Sequence, residues 1–205
     1  MIVFNSIKRN PIALFLCRFL VIFVVLAIPW PGVNKVYGNI FRGLVRIVFT
    51  GQTDHRGLSV EAPAADSKQP FDTRIAIVNR ALKRADGSVP VRNVDVEFGW
   101  QPVALLLALI LATPVSWRRR GWAVFWGLLG YHCFLLLSLD FVIWAESAEI
   151  SLVTLTPFWK FFANEFKDMI TGQTSLAVPV VIWMLIIFRR EDRGMIFPAK
   201  LQTAA

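Results

Sequence analysis

Four apolar stretches, each bordered on one side by a basic cluster, constrain this chain more than any other feature. They run over residues 11–31, 100–117, 122–144 and 174–188. The clusters are Lys8-Arg9 before the first, Arg118-Arg119-Arg120 between the second and third, and Arg189-Arg190 with Arg193 after the fourth. Threading four spans through a bilayer places all three clusters on one side, which the positive-inside rule makes the cytoplasm. The expected fold class is therefore membrane all-α, with four transmembrane helices. Residues 1–10, 118–121 and 189–205 are expected inside, and segments 32–99 and 145–173 outside.

Composition agrees with lipid as the solvent. The chain is 56% hydrophobic, above the 45–50% or so of soluble domains. A net charge of +8 would suggest nucleic acid in a soluble protein. Here Lys8, Arg9, Arg18, Arg118, Arg119, Arg120, Arg189, Arg190, Arg193 and Lys200 fall in or beside the cytoplasmic segments, against only Glu191 and Asp192. Lipid head groups are the expected partner of such clusters, at about 1 kcal/mol per basic residue, and nucleic acid is not. The first stretch has the basic start and apolar core of a signal peptide, but ends Pro29-Trp30-Pro31-Gly32 without a small-x-small site, so an uncleaved span is expected. Arg18 lies inside it, where it can snorkel to the inner head groups or pair with another helix.

The second stretch, bounded by Trp100 and Trp117, covers about 27 Å as a helix, just enough to cross. The fourth is short and carries Pro179. The third contains His132, Cys133 and Asp140. Neighbouring residues on a helix point about 100° apart, so His132 and Cys133 cannot pair with each other. His132 is expected to hydrogen-bond between helices. Asp140 lies one turn before Trp144, as a functional carboxylate or as a solvated interfacial one. Neither Cys17 nor Cys133 is expected in a disulfide. With no Gly-rich phosphate loop, HExxH, GxSxG or metal-spaced set, no cofactor or metal is expected.

The outer segments carry their own patterns. Over 33–49, Val33, Val36, Tyr37, Ile40, Phe41, Leu44, Val45 and Val48 line one helical side, with Lys35, Asn39, Arg42 and Arg46 on the other. This amphipathic helix suits either the membrane surface or the protein's own outer domain. Leu58, Val60 and Ala62 alternate as a strand. Arg74–Asn79 and Val89-x-Val91 flank Asp86-Gly87, a hairpin signal. The apolar phase then shifts to Val94, Val96 and Phe98, for which a bulge is expected. A module of about fifty residues has a weak core of its own, so it should lean on membrane helices or a partner. Further on, Thr156-Pro157 starts a helix with Phe158, Phe161, Phe162, Phe166, Met169 and Ile170 on one side and Lys160, Asn164, Lys167 and Asp168 on the other, closed by Gly172. Arg42, Arg46, Phe158, Phe161, Phe162 and Phe166 are the candidate contacts with lipid or a partner. Arg18, His132 and Asp140 are the candidate intramembrane polar groups.

The string Gly99-Trp100-Gln101-Pro102-Val103-Ala104-Leu105-Leu106-Leu107-Ala108-Leu109, the following Ala112-Thr113-Pro114, the arginine-rich turn and the final Ala177-Val178-Pro179-Val180-Val181-Ile182-Trp183 resemble the small membrane proteins associated with exosortase H. The resemblance covers most of the chain. It implies a multi-pass protein of the bacterial inner membrane, accessory to the sorting of secreted proteins that carry a C-terminal membrane anchor, and it transfers no catalytic residues. The leading expectation is thus a non-enzymatic accessory or scaffold protein that works with a membrane-protein partner or a second copy. Two others stand beside it: an intramembrane hydrolase or transpeptidase using Cys133 or Cys17 with His132, and a small transporter or channel subunit using Asp140.

Overall fold

The computed structural model describes residues 11–28, 30, 32–49, 56–62, 73–79, 82, 88–96, 100–171 and 176–187. The basic clusters at 8–9 and 189–193, the turn at Asp86-Gly87, Phe98 and Gly172 lie outside the described residues. The chain is mostly helical with one small sheet. It divides into two compact units, one of Met1–Ile28, Gln101–Tyr131 and Leu176–Ala205, the other of Pro29–Trp100 and His132–Ser175.

The first unit is built from helix α1 (Pro11–Ala27), nearly all of α3 (Trp100–Ala112), the first half of α4 (Trp117–Glu149) and α6 (Ala177–Ile187). Pro11 opens α1 at a position where its missing donor costs nothing. α3 stops at Ala112, short of the expected 117, because Pro114 supplies no N–H and pushes Thr113 out of the helical region. The Thr113 hydroxyl donates back to the Leu109 carbonyl at 2.7 Å. Eight of the 13 residues of α3 are buried, all of them apolar, so α3 is wrapped on nearly every side. Gly127 of α4 makes that possible: a Cβ there would lie 2.9 Å from Ile110 Cδ1 of α3 and 3.7 Å from Ile186 Cδ1 of α6. Small residues let apolar helices approach this closely. Phe15 of α1 stacks on Trp183 of α6, their centroids 6.0 Å apart.

Among the described residues one helix, α4, is long and apolar enough to cross a membrane. It has 33 residues, about 50 Å, and extends the expected 122–144 at both ends. The expected loop 118–121 is its first turn instead. α1, α3 and α6 have 17, 13 and 11 residues, fewer than the ~20 a crossing takes. By length, among the described residues, α4 alone of the four expected is sufficient for a span.

The second unit holds α2 (Val33–Phe49), a three-stranded sheet, the second half of α4 and α5 (Pro157–Thr171). Strands β1 (Arg56–Glu61), β2 (Thr73–Asn79) and β3 (Val91–Val96) form an antiparallel meander in the order β1-β2-β3. Every second residue of β2, from Thr73 to Asn79, is buried. Val60 opposes Ile75 on one side and Val94 opposes it on the other, so all three share one face. From α2, Tyr37, Phe41, Val45 and Phe49 are buried at four-residue intervals, the spacing that keeps side chains on one side of a helix.

The bulge expected in β3 is absent. Val91 to Val96 pair without interruption against Val78 to Thr73. The sheet keeps its register by turning Val91 outward, where it is 52% exposed. Arg92 then shares the face of Ile77 by register, with its side chain 47% exposed. α4 ends on a left-handed residue, Ser151 (φ 58). The Leu152 N–H bonds to the Ser147 carbonyl at 2.9 Å, the long closing bond of a Schellman cap.

Candidate functional site

Arg92, half-exposed at the edge of the sheet, reaches a buried glutamate and builds the candidate polar constellation. Its Nε lies 2.6 Å from Glu146 Oε2 and its Nη2 2.9 Å from Glu149 Oε2. Both glutamates end α4, where the helix dipole disfavours negative charge, and Arg92 offsets it. Glu146 is only 3% exposed. A hydrogen bond from Arg92 to Glu146 and the charges of Glu146 and Glu149 raise the Arg92 pKa above the ordinary guanidinium range. A second tie lies alongside: buried Asn79 donates from Nδ2 to the Ile150 carbonyl at 2.9 Å. Strands β2 and β3 are thereby clamped to the end of α4. Such a pair orients and holds; its guanidinium cannot give up a proton near neutral pH.

The basic face of α2 is used inside the same unit. Arg42 is buried and donates to Asn39 Oδ1 at 2.5 Å and to Thr73 Oγ1 at 3.5 Å. Arg46 donates to the Val60 carbonyl at 2.9 Å. These candidate contacts thus stitch α2 to β1 and β2. The outward apolar positions of α2 are Val36, Ile40, Ile47 and Val48.

His132 meets α2. Its Nε2 lies 3.4 Å from the Tyr37 hydroxyl, and its ring packs against Tyr37 and Phe41. Tyr37 also touches Trp100 edge-on. His132 thus bridges α4 to α2, the segment the sequence places outside the membrane. Cys133, one residue on, is exposed, as are Cys17 and Arg18 on α1. Asp140 is half-buried on α4. No group of three or more His, Cys, Asp or Glu able to hold a metal ion occurs among the described residues.

The arginine turn is likewise committed to the protein. Arg119 donates to the Ile187 carbonyl at 3.1 Å, capping the end of α6. Arg120 donates to the Thr113 and Val115 carbonyls and lies 4.4 Å above the Trp117 ring. Trp183 Nε1 donates to Thr113 Oγ1 at 3.0 Å.

α5 divides its aromatic residues between two tasks. Phe166 stacks on Phe141 of α4 at 4.6 Å, Trp159 packs edge-on against Trp144, and Ala163 is buried. Phe158 and Phe161 are 62% and 61% exposed; Phe162, at 38%, and Trp159, at 43% despite its ring contacts, are partly covered. The sequence pattern missed Ala163, which is buried, and Trp159, which contacts Trp144 while remaining partly exposed. It also missed the Arg92 clamp, whose only local sign is the broken alternation at Arg92-Asn93. Compared with protein-family models, with curated proteins and with solved structures, the chain matches none of them.

Proposed function

We propose that the chain is an integral membrane protein that serves as a non-enzymatic accessory or scaffold in a cell-envelope assembly. The observation that carries the membrane setting is the exposure of α4: only 33% of its most apolar 18-residue stretch is buried. The core helix of a soluble protein would hide that stretch. Large exposed apolar side chains recur on α1 (Ile12, Leu16, Leu20, Val24) and α6 (Val181, Met184, Leu185), the kind of surface that marks contact with a membrane or a partner. In this reading α1, α3 and α6 lie in lipid beside α4 in a multi-pass arrangement. The arginine turn faces the cytoplasm, and the sheet module lies outside. A sorting role rests on the resemblance of residues 99–114 and 177–183 to exosortase H-associated proteins. The scaffold reading is preferred to a Cys/His hydrolase because His132 is engaged by Tyr37 and Phe41 and the cysteines point outward.

Thiol labelling of intact cells tests the topology, with Cys17 and Cys133 changed to Ser. A Ser59→Cys thiol on β1 should react with an impermeant maleimide, and an Arg118→Cys thiol only after permeabilisation. The reverse pattern would overturn the arrangement. Purification in mild detergent tests the scaffold role, which a chain always recovered as a bare monomer would contradict.

A further inference from the structure

We infer that α5 is a lipid-dipping helix, inserting Phe158, Phe161 and Phe162 into the leaflet next to the end of α4. The inference rests on the reading that α4 crosses the bilayer and goes beyond it by assigning the occupant of an exposed surface. α4 carries aromatic groups near both ends, Trp122, Phe125 and Trp126 at one and Phe141 and Trp144 at the other. Their midpoints are about 28 Å apart along the helix, close to the ~30 Å of a hydrocarbon core. No charged residue falls between Trp122 and Leu139. Aromatic belts mark membrane–water boundaries, so Phe141 and Trp144 fix one boundary.

α5 is bound at that level. Its Phe166 stacks on Phe141 and its Trp159 packs on Trp144. At about 100° per residue, Trp159, Ala163 and Phe166 occupy only about a third of the apolar arc of α5. Phe158, Phe161 and Phe162 fill the rest, rings in mutual contact at 4.9 and 5.9 Å. Exposed Lys160 and Asn164 lie on the opposite side. An amphipathic helix held at head-group depth, with phenylalanines beside its packed face and a lysine opposite, buries the aromatic side about 5–10 Å into the leaflet. Exposed Glu165 falls in the same arc one turn later, so the first turn goes deeper than the second. The helix would then fix the height at which the Arg92 clamp and the sheet stand above the lipid.

The full chain, with Cys17 and Cys133 changed to Ser, is spin-labelled at single cysteines in vesicles of phosphatidylethanolamine and phosphatidylglycerol. Nitroxide collision with oxygen is compared with collision with a water-soluble nickel chelate. For Phe158→Cys, Phe161→Cys and Phe162→Cys the accessibility ratio should shift toward oxygen, and for Lys160→Cys and Asn164→Cys toward nickel. Leu129→Cys, on the exposed face of α4, is the control. If position 129 favours oxygen while 158, 161 and 162 favour nickel, the inference about α5 is overturned and the membrane reading stands. If 129 favours nickel, both fall. Spin–spin broadening at 161 or 162 would assign the surface to a second copy and overturn lipid as its occupant.

Discussion

At the scale of residues, Arg92 and Ser151 show how single positions answer to geometry. Removing Arg92 leaves a nearly buried carboxylate at Glu146 facing a helix end of its own sign, which costs more than losing both charges together. Arg92→Leu should therefore lower the unfolding temperature of the detergent-solubilised chain more than the double change Arg92→Leu with Glu146→Leu. An equal or larger loss in the double variant would remove the clamp from the account. The pKa of Arg92 is raised in the fold, so its contribution is fully present below the unfolded-state pKa and lost only as pH rises through the folded one, in strong alkali. The gap in melting temperature between the parent and Arg92→Leu should accordingly be the same at about pH 6 and about pH 9. Ser151 holds a left-handed backbone that costs a non-glycine residue about 1–2 kcal/mol. Glycine relieves that but gives up some freedom on folding. Ser151→Gly should stabilise by about 0.5–1 kcal/mol in a denaturation series, and Ser151→Val should destabilise.

Elements are decided by where their ends stop and how closely they approach. α3 is cut short by Pro114, and α4 runs on because nothing in 117–149 interrupts it. Their approach depends on a small residue at position 127. A Cβ there is crowded only by the tip of Ile110, a group that can swing aside, and meets Leu106 and Ile186 at ordinary contact distances of 3.6 and 3.7 Å. Gly127→Ala should thus be near neutral, since alanine recovers up to about 1 kcal/mol of helix propensity. Gly127→Leu adds atoms where α3 and α6 leave no room and should cost about 1–3 kcal/mol. Melting curves followed by circular dichroism would separate the two, and equal losses would argue against close packing at this point. α2 and α5 share a different design: each has an apolar arc wider than the surface its own protein covers. That surplus makes them candidates for lipid contact, and the pattern of polar residues alone does not reveal it.

For the whole molecule the question is which solvent surrounds the helices. Leu129 is exposed on α4, and in water an exposed Leu→Arg change moves stability by only about 0.5 kcal/mol either way. At the centre of a membrane span the same arginine costs about 2.5–3.5 kcal/mol. Leu129→Arg should therefore sharply reduce the protein that resists alkaline carbonate extraction from membranes. An unchanged yield would contradict α4 as a span. Much of the fold was legible beforehand for one reason: it depends on neighbours a few residues apart. The bounds of α2 at 33–49, the opening of α5 at Pro157 and the hairpin pairing of β2 with β3 follow from periodicity and from residues that start or stop an element; that β1 joins β2 does not. Other features needed the folded chain. Arg92 finds Glu146 across 54 positions, so a charged side chain on the Ile77 face is accommodated while β3 keeps an unbroken register. Arg42 is buried against Thr73, while Arg46 stays exposed and reaches the Val60 carbonyl only with its guanidinium. Periodicity says which side of a helix is apolar. Only tertiary contacts decide how much of that side the protein covers and how much it leaves for lipid.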